Sequence, residues 1–119
     1  GHVDFHPADQ KNPDFVFHVP GTHEGNMLIV EVKGTLTRRN EVIQDFSNIL
    51  LFVTKYQYQA GIFILYNHSL HELVEGLGQG LRGLARDPSA TSVYILAISE
   101  AHASCEETSL SALYPNSVN

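Results

Sequence analysis

Residues 13–34 read PDFVFHVPGTHEGNMLIVEVKG, two apolar runs joined by a polar loop that contains glycine. PDFVFHV (13–19) and MLIVEVK (27–33) are rich in β-branched and aromatic residues. PGTHEGN (20–26) supplies loop chemistry between them, so the pair reads as an antiparallel hairpin with a long connection. Charge stands where a purely structural strand would not carry it: Asp14 opens the first run, and Glu31 and Lys33 interrupt the second. Strand side chains alternate, so Glu31 and Lys33 point the same way, about 6.5–7 Å apart, while Val30 and Val32 are expected to face the core on the other side. A hairpin partner bearing Asp14 brings a second carboxylate beside Glu31.

Outward from the hairpin, HVDFH (2–6) alternates weakly and reads as a short first strand, and PADQKN (7–12) as a turn. Gly34 ends the hairpin. From about Asn40 the period changes: Val42, Phe46, Ile49, Leu50 and Val53 recur at helical spacing, with Asn40 as the expected N-cap, Glu41 in the first turn and an end near Gln59. Gly61 introduces IFILY (62–66), a continuous apolar run of the kind found in strands covered on both faces. Leu70, Leu73, Leu77, Leu81 and Leu84 stripe a second helix over about 69–85, and the Asp87-Pro88 turn leads into the strand VYILAI (93–98). The remainder reads as a short terminal helix or a frayed tail. The expected order is β-β-β-α-β-α-β, an α/β mixed sheet with flanking helices packed on its faces.

Two carboxylates and a lysine on adjacent strands form a recognisable chemical tool. Carboxylate oxygens bind a hard divalent cation such as Mg²⁺, which keeps several waters and takes one or two carboxylates plus substrate phosphate. The metal acidifies a water and neutralises charge developing on phosphate. The lysine orients or deprotonates the attacking water, or stabilises phosphorane-like charge. The main-chain carbonyl of Val32, at the intervening position, is placed to complete the metal shell.

Pro13-Asp14, seventeen residues before Glu31, together with Glu31-Val32-Lys33, resembles the signature of the PD-(D/E)xK nuclease superfamily. The context agrees: PD at a strand start, ExK ending an apolar strand, glycine next, then an amphipathic helix and a strand. The resemblance covers about residues 3–67, and the order of elements continues to match beyond it. It implies a restriction-endonuclease-like core, Asp14 and Glu31 as ligands of Mg²⁺ (with Mn²⁺ able to substitute), and Lys33 as the catalytic lysine. Two features depart from the superfamily's pattern. Its core usually begins with a helix that can carry another acid, for which there is no room before residue 3. The Gln/Tyr motif of some exonuclease branches is not matched either, since Gln44 is followed by Asn48 where that pattern has Tyr.

Other signals are weaker. Arg38 and Arg39, just after the strand bearing Lys33, are candidates to meet a phosphate backbone, with a solvated loop as the plain alternative. His68 and His71 are three apart but lack partners at zinc-site spacing, and His18 and His23 are explained by ordinary loop polarity. GQGLRG (78–83) matches G-x-G-x-x-G, yet it lies inside a leucine-periodic segment rather than between a strand and a helix, so it reads as a glycine-rich helix. Lys55, Tyr56 and Tyr58 are explained by packing at a helix end. No serine has a nucleophile-elbow context.

Length and charge bound the rest. The chain has 119 residues, which is one domain by length (1–119) or a fragment of a longer protein. No apolar run approaches the roughly 20 residues that span a bilayer. A single cysteine, Cys105, forms no internal disulfide, so an intracellular, cytoplasmic setting is expected. Thirteen acids against seven bases give a net charge of −6, where a non-catalytic nucleic-acid-binding module would usually be basic. The expectation is a Mg²⁺-dependent nuclease acting on DNA, with a homodimer or further domains of a longer chain as protein partners and no membrane. The alternative is a catalytically silent module of the same fold that binds protein or nucleic acid within a larger assembly. A domain that mainly dimerises is a third reading, and it leaves the Asp–Glu–Lys set unexplained.

Overall fold

The apolar runs that read as strands pair side by side in chain order. In the computed structural model, which describes residues 14–18, 27–100 and 104–114, five strands form one sheet in the order β1-β2-β3-β4-β5. They are β1 (Phe15–His18), β2 (Met27–Lys33), β3 (Ala60–Tyr66), β4 (Val93–Ser99) and β5 (Ser104–Ser109). Helix α1 (Arg39–Thr54) connects β2 to β3, and α2 (Leu70–Ala85) connects β3 to β4. The central pairs β2/β3 and β3/β4 are parallel, and the outer pairs β1/β2 and β4/β5 are antiparallel. The chain is thus an α/β fold with a five-stranded mixed sheet and two helices.

Local sequence explains the element ends. Ser69 caps α2 by accepting from the Glu72 N–H, while the Glu72 carboxylate accepts from the Ser69 N–H, a reciprocal capping box. Asp87 accepts from the Ser89 N–H, and Pro88 opens the 3₁₀ turn Pro88–Ser92 before β4. Arg38, not Asn40, occupies the N-cap position of α1, and its side chain makes no capping bond. That helix stops at Thr54, short of the Gln59 expected from periodicity, and Gln57 adopts φ +57° in the turn that follows. Within α2, Gly78 has φ +52° and kinks the helix, so the glycine-rich segment is helical but broken.

Parallel strands added in one direction, through crossovers that share one hand, deliver their helices to the same face of the sheet. Ile29, Phe63, Leu65, Val93 and Ile95 of the sheet form one buried cluster with Val42, Phe46, Ile49 and Phe52 of α1 and Leu73, Leu77 and Leu81 of α2. Phe46 stacks on Phe63 with ring centroids 4.1 Å apart. Gly61 admits Ile49 so closely that a Cβ there would lie 2.1 Å from its Cγ2. On the opposite face Phe15, Phe17, Tyr66, Tyr94 and Ile98 are exposed. No layer covers them among the described residues, so IFILY packs on one face only, not two.

This corrects one expectation about the hairpin. Ile29, Glu31 and Lys33 are in register with Gly61, Phe63 and Leu65, so the charged pair points toward the helices. Val30 and Val32 point to the uncovered face instead. The tail is a further correction: SCEETS (104–109) is an edge strand, followed by a 3₁₀ turn at Ser111–Leu113. The expected first strand at 2–6 lies outside the described residues. No helix among those residues is long and apolar enough to cross a membrane.

Candidate active site

Strand β1 enters the sheet beside the carboxyl-terminal half of β2, and this fixes where the acids meet. Phe15 pairs with Val30 across the antiparallel ladder, so Asp14, one step earlier, falls opposite Glu31 and on the same face. The two residues are interlocked. The Asp14 backbone N–H donates to Glu31 Oε1 at 3.1 Å, and the Val32 backbone N–H donates to Asp14 Oδ2 at 2.7 Å. In an extended strand a residue's N–H and C=O leave from the same edge, so the Val32 carbonyl also faces the Asp14 side. Glu31 is 3% exposed, whereas Asp14 lies at the surface. The pair therefore has one buried and one accessible carboxylate.

Lys33 follows on the same face at the end of β2. Its Nζ lies 2.9 Å from Oδ2 of Asp45, a residue of α1 that is itself buried. Burial alone would lower the lysine's pKa. The hydrogen bond and charge of Asp45, with smaller contributions from Glu41 and Asp14, outweigh that effect and hold it above the usual lysine value. Lys33 is thus an ammonium paired with an acid of the helix, on the same face of β2 as Glu31. Asp14, Glu31 and Lys33 are brought together as the spacing predicts, and Asp45 joins them from a position the sequence reading passed over. Its signal was present: Asp45 and Asn48 sit within the same helical stripe as Val42 and Ile49, and both are buried.

The site is at the carboxyl end of the parallel strands, where open α/β sheets ordinarily bind ligands. Two carboxylates in register, with a main-chain carbonyl on the same edge, suit a hard cation that takes one or two carboxylates and keeps waters. Among the described residues no group of three or more His, Cys, Asp or Glu side chains is arranged to hold a metal.

The arginines lie at the start of α1. Arg38 pairs with Glu41 at 3.3 Å and is largely exposed. With Arg39, Asn40, Ile43, Leu77 and Gly80 it lines a shallow depression between the two helices. Glu41 and Asp45 are one turn apart on α1, so the Arg38–Glu41 and Lys33–Asp45 pairs succeed each other along the helix. His68 and His71 do not form a metal site but pair with Glu72 and Glu75, each at 3.0 Å, along the first turns of α2. His18 is exposed at the end of β1, and His23 lies outside the described residues. Tyr56 and Tyr58 pack around Phe52, which accounts for them as core residues.

No protein-family model matches the chain, and no curated protein or solved structure is significantly similar to it.

Proposed function

We propose that the chain is a divalent-metal-dependent nuclease of the PD-(D/E)xK type, with a restriction-endonuclease-like core, that hydrolyses phosphodiester bonds of DNA. The observation that carries this reading is the in-register meeting of Asp14 and Glu31 on antiparallel strands, with Lys33 two residues on and on the same face. Charges kept on β2 only for solubility would turn to the uncovered face, yet Glu31 and Lys33 turn toward the helices.

In this reading Asp14, Glu31 and the Val32 carbonyl hold Mg²⁺, for which Mn²⁺ substitutes. When bound, the cation supplies Lewis acidity and lowers the pKa of water in the site. Asp14, at the surface, is the carboxylate that substrate and solvent reach. Lys33, kept protonated by Asp45, donates hydrogen bonds to the attacking water or to a phosphate oxygen and offsets negative charge as it grows there. Arg38 and Arg39 contact phosphates of the flanking backbone, positioning the strand without reading its sequence.

A second reading has a specific observation in its favour. Lys33 is already engaged by Asp45 and Glu31 is nearly closed off, a state that suits a silent module of the same fold binding protein or nucleic acid. The test is cleavage of labelled single- and double-stranded DNA with Mg²⁺ by the wild-type chain and by Lys33→Met. Cleavage that falls at least 100-fold in the variant supports the nuclease. DNA that stays intact under saturating metal, with a folded wild-type chain, supports the silent module.

A further inference from the structure

We propose that Asp45 is the positioning residue for Lys33: its buried carboxylate fixes the ammonium beside the Asp14–Glu31 pair, and it influences the reaction only through that lysine. This rests on the nuclease reading above.

Three observations converge on the role. First, Asp45 occupies a core position of α1, 2% exposed, next to Phe46 and within a stripe that includes Val42 and Ile49. A buried ion pair is commonly no more stabilising than well-packed apolar residues of the same volume, so stability is a poor reason for an acid there. Second, the contact is short and charge-assisted, 2.9 Å from Oδ2 to Nζ. A lysine whose side chain retains 22% of its exposure would otherwise extend its head into water, because a flexible four-carbon stem permits it. Third, the acid is mounted on a rigid support. Helix α1 is seated on the sheet by the Phe46–Phe63 stack and by Ile49 against Gly61, so Oδ2 has a defined place relative to β2.

Lys33 and Glu31 share the helix-facing side of β2, so the ammonium held by Asp45 is on the face that carries the hairpin acids. Released from Asp45, the head group would sample positions away from the scissile phosphate, and misplacement by an ångström can cost about 100-fold in rate. Asp45 touches neither metal nor substrate in this scheme.

The experiment is a double-mutant cycle on the full chain with Asp45→Ala, Lys33→Met and the pair combined, read by kcat and KM on DNA with Mg²⁺ and by Mn²⁺ calorimetry. Asp45→Ala is expected to lower kcat about 30–100-fold with KM within threefold, to leave Mn²⁺ affinity within threefold, and to cost nothing further in the Lys33→Met background. Asp45→Asn serves in its place if the alanine variant unfolds. A readout independent of turnover is the ¹H–¹⁵N signal of the Lys33 ammonium, expected in the wild-type chain through slowed exchange and absent in Asp45→Ala. Equal losses in both backgrounds, unchanged kcat, or loss of Mn²⁺ affinity would each overturn the proposal. A wild-type chain that neither binds Mn²⁺ nor cuts DNA overturns the nuclease reading instead, and the ammonium signal then decides whether Asp45 fixes Lys33.

Discussion

Asp14 and Glu31 hold each other by crossed main-chain contacts: the Glu31 carboxylate accepts the Asp14 N–H, and the Asp14 carboxylate accepts the N–H of Val32, the residue after Glu31. Each acid therefore has part of its hydrogen-bonding capacity committed to the backbone of the other's strand. The hairpin edge is built by the same groups that would hold the metal. Structure and chemistry are coupled here, and that makes the site testable by stability as well as by activity.

Metal binding to the folded chain alone raises stability by mass action. With Mn²⁺ at about 100 times its Kd the gain is about 2.7 kcal/mol. Thermal unfolding should show an upward shift of Tm with Mn²⁺ for the wild-type chain and none for Asp14→Ala. In the absence of metal that variant should lose about 1 kcal/mol, because the Val32 N–H loses its acceptor. An equal Mn²⁺ response in both proteins would remove Asp14 from the metal site.

Gly61 lies where α1 meets the sheet, and a Cβ there would stand 2.1 Å from Ile49 Cγ2 and 3.3 Å from Ile29 Cγ2. Isoleucine is stiff at χ1, so Ile49 cannot swing its γ-methyl aside. Gly61→Ala is expected to destabilise by about 1–3 kcal/mol in urea unfolding. A neutral outcome would mean that α1 sits further from β3 than described.

Two glycines of α2 should respond in opposite directions. Gly78 has φ +52°, so Gly78→Ala is expected to cost about 1–2 kcal/mol. Gly83 has ordinary helical geometry and open space where a Cβ would stand, so Gly83→Ala should stabilise by about 0.5–1 kcal/mol. Opposite signs in denaturant melts confirm the kink, and equal signs refute it.

The capping box gives a pH prediction. The hydrogen bond from His68 is the largest cause holding the Glu72 carboxyl below its usual 4.5, followed by the Ser69 N–H. Because the folded value is depressed, the stabilisation is in place above about pH 4.5 and fades as pH falls through the folded value. Glu72→Gln should flatten the acid limb of the stability curve. Ser69→Ala should cost about 1 kcal/mol at neutral pH.

Lys33 gives the opposite limb. Its folded pKa is raised above 10.5, so the contribution of the Asp45 pair is complete below that value and is lost as pH rises through the folded one. Burial also raises Tyr58 and Tyr114 above 10.0, and they too weaken the fold in alkali. Lys33→Met should therefore lessen the alkaline loss of stability without abolishing it. An alkaline limb identical to wild type would contradict the Lys33–Asp45 pairing.

Much of this was legible in the chain itself. The hairpin at 13–34 put Asp14 opposite Glu31, and the Leu70–Leu84 stripe marked α2 to within a residue. Which face of β2 is covered was not legible, because Leu28, Val30 and Val32 are as apolar as Ile29. Only the delivery of both helices to one side settles it. The final strand was missed because SCEETS pairs at an edge and needs no apolar alternation. Asp45 was hidden for a related reason: an acid within an apolar helical stripe looks like an interruption until its lysine partner arrives from the strand.

The most direct test of the central claim is Mn²⁺ calorimetry on the wild-type chain and on Glu31→Ala, with unfolding curves confirming that both are folded. The wild-type chain is expected to give a binding isotherm that disappears in the variant. A folded wild-type chain with no Mn²⁺ isotherm, or a Glu31→Ala variant that binds as well as wild type, would contradict it.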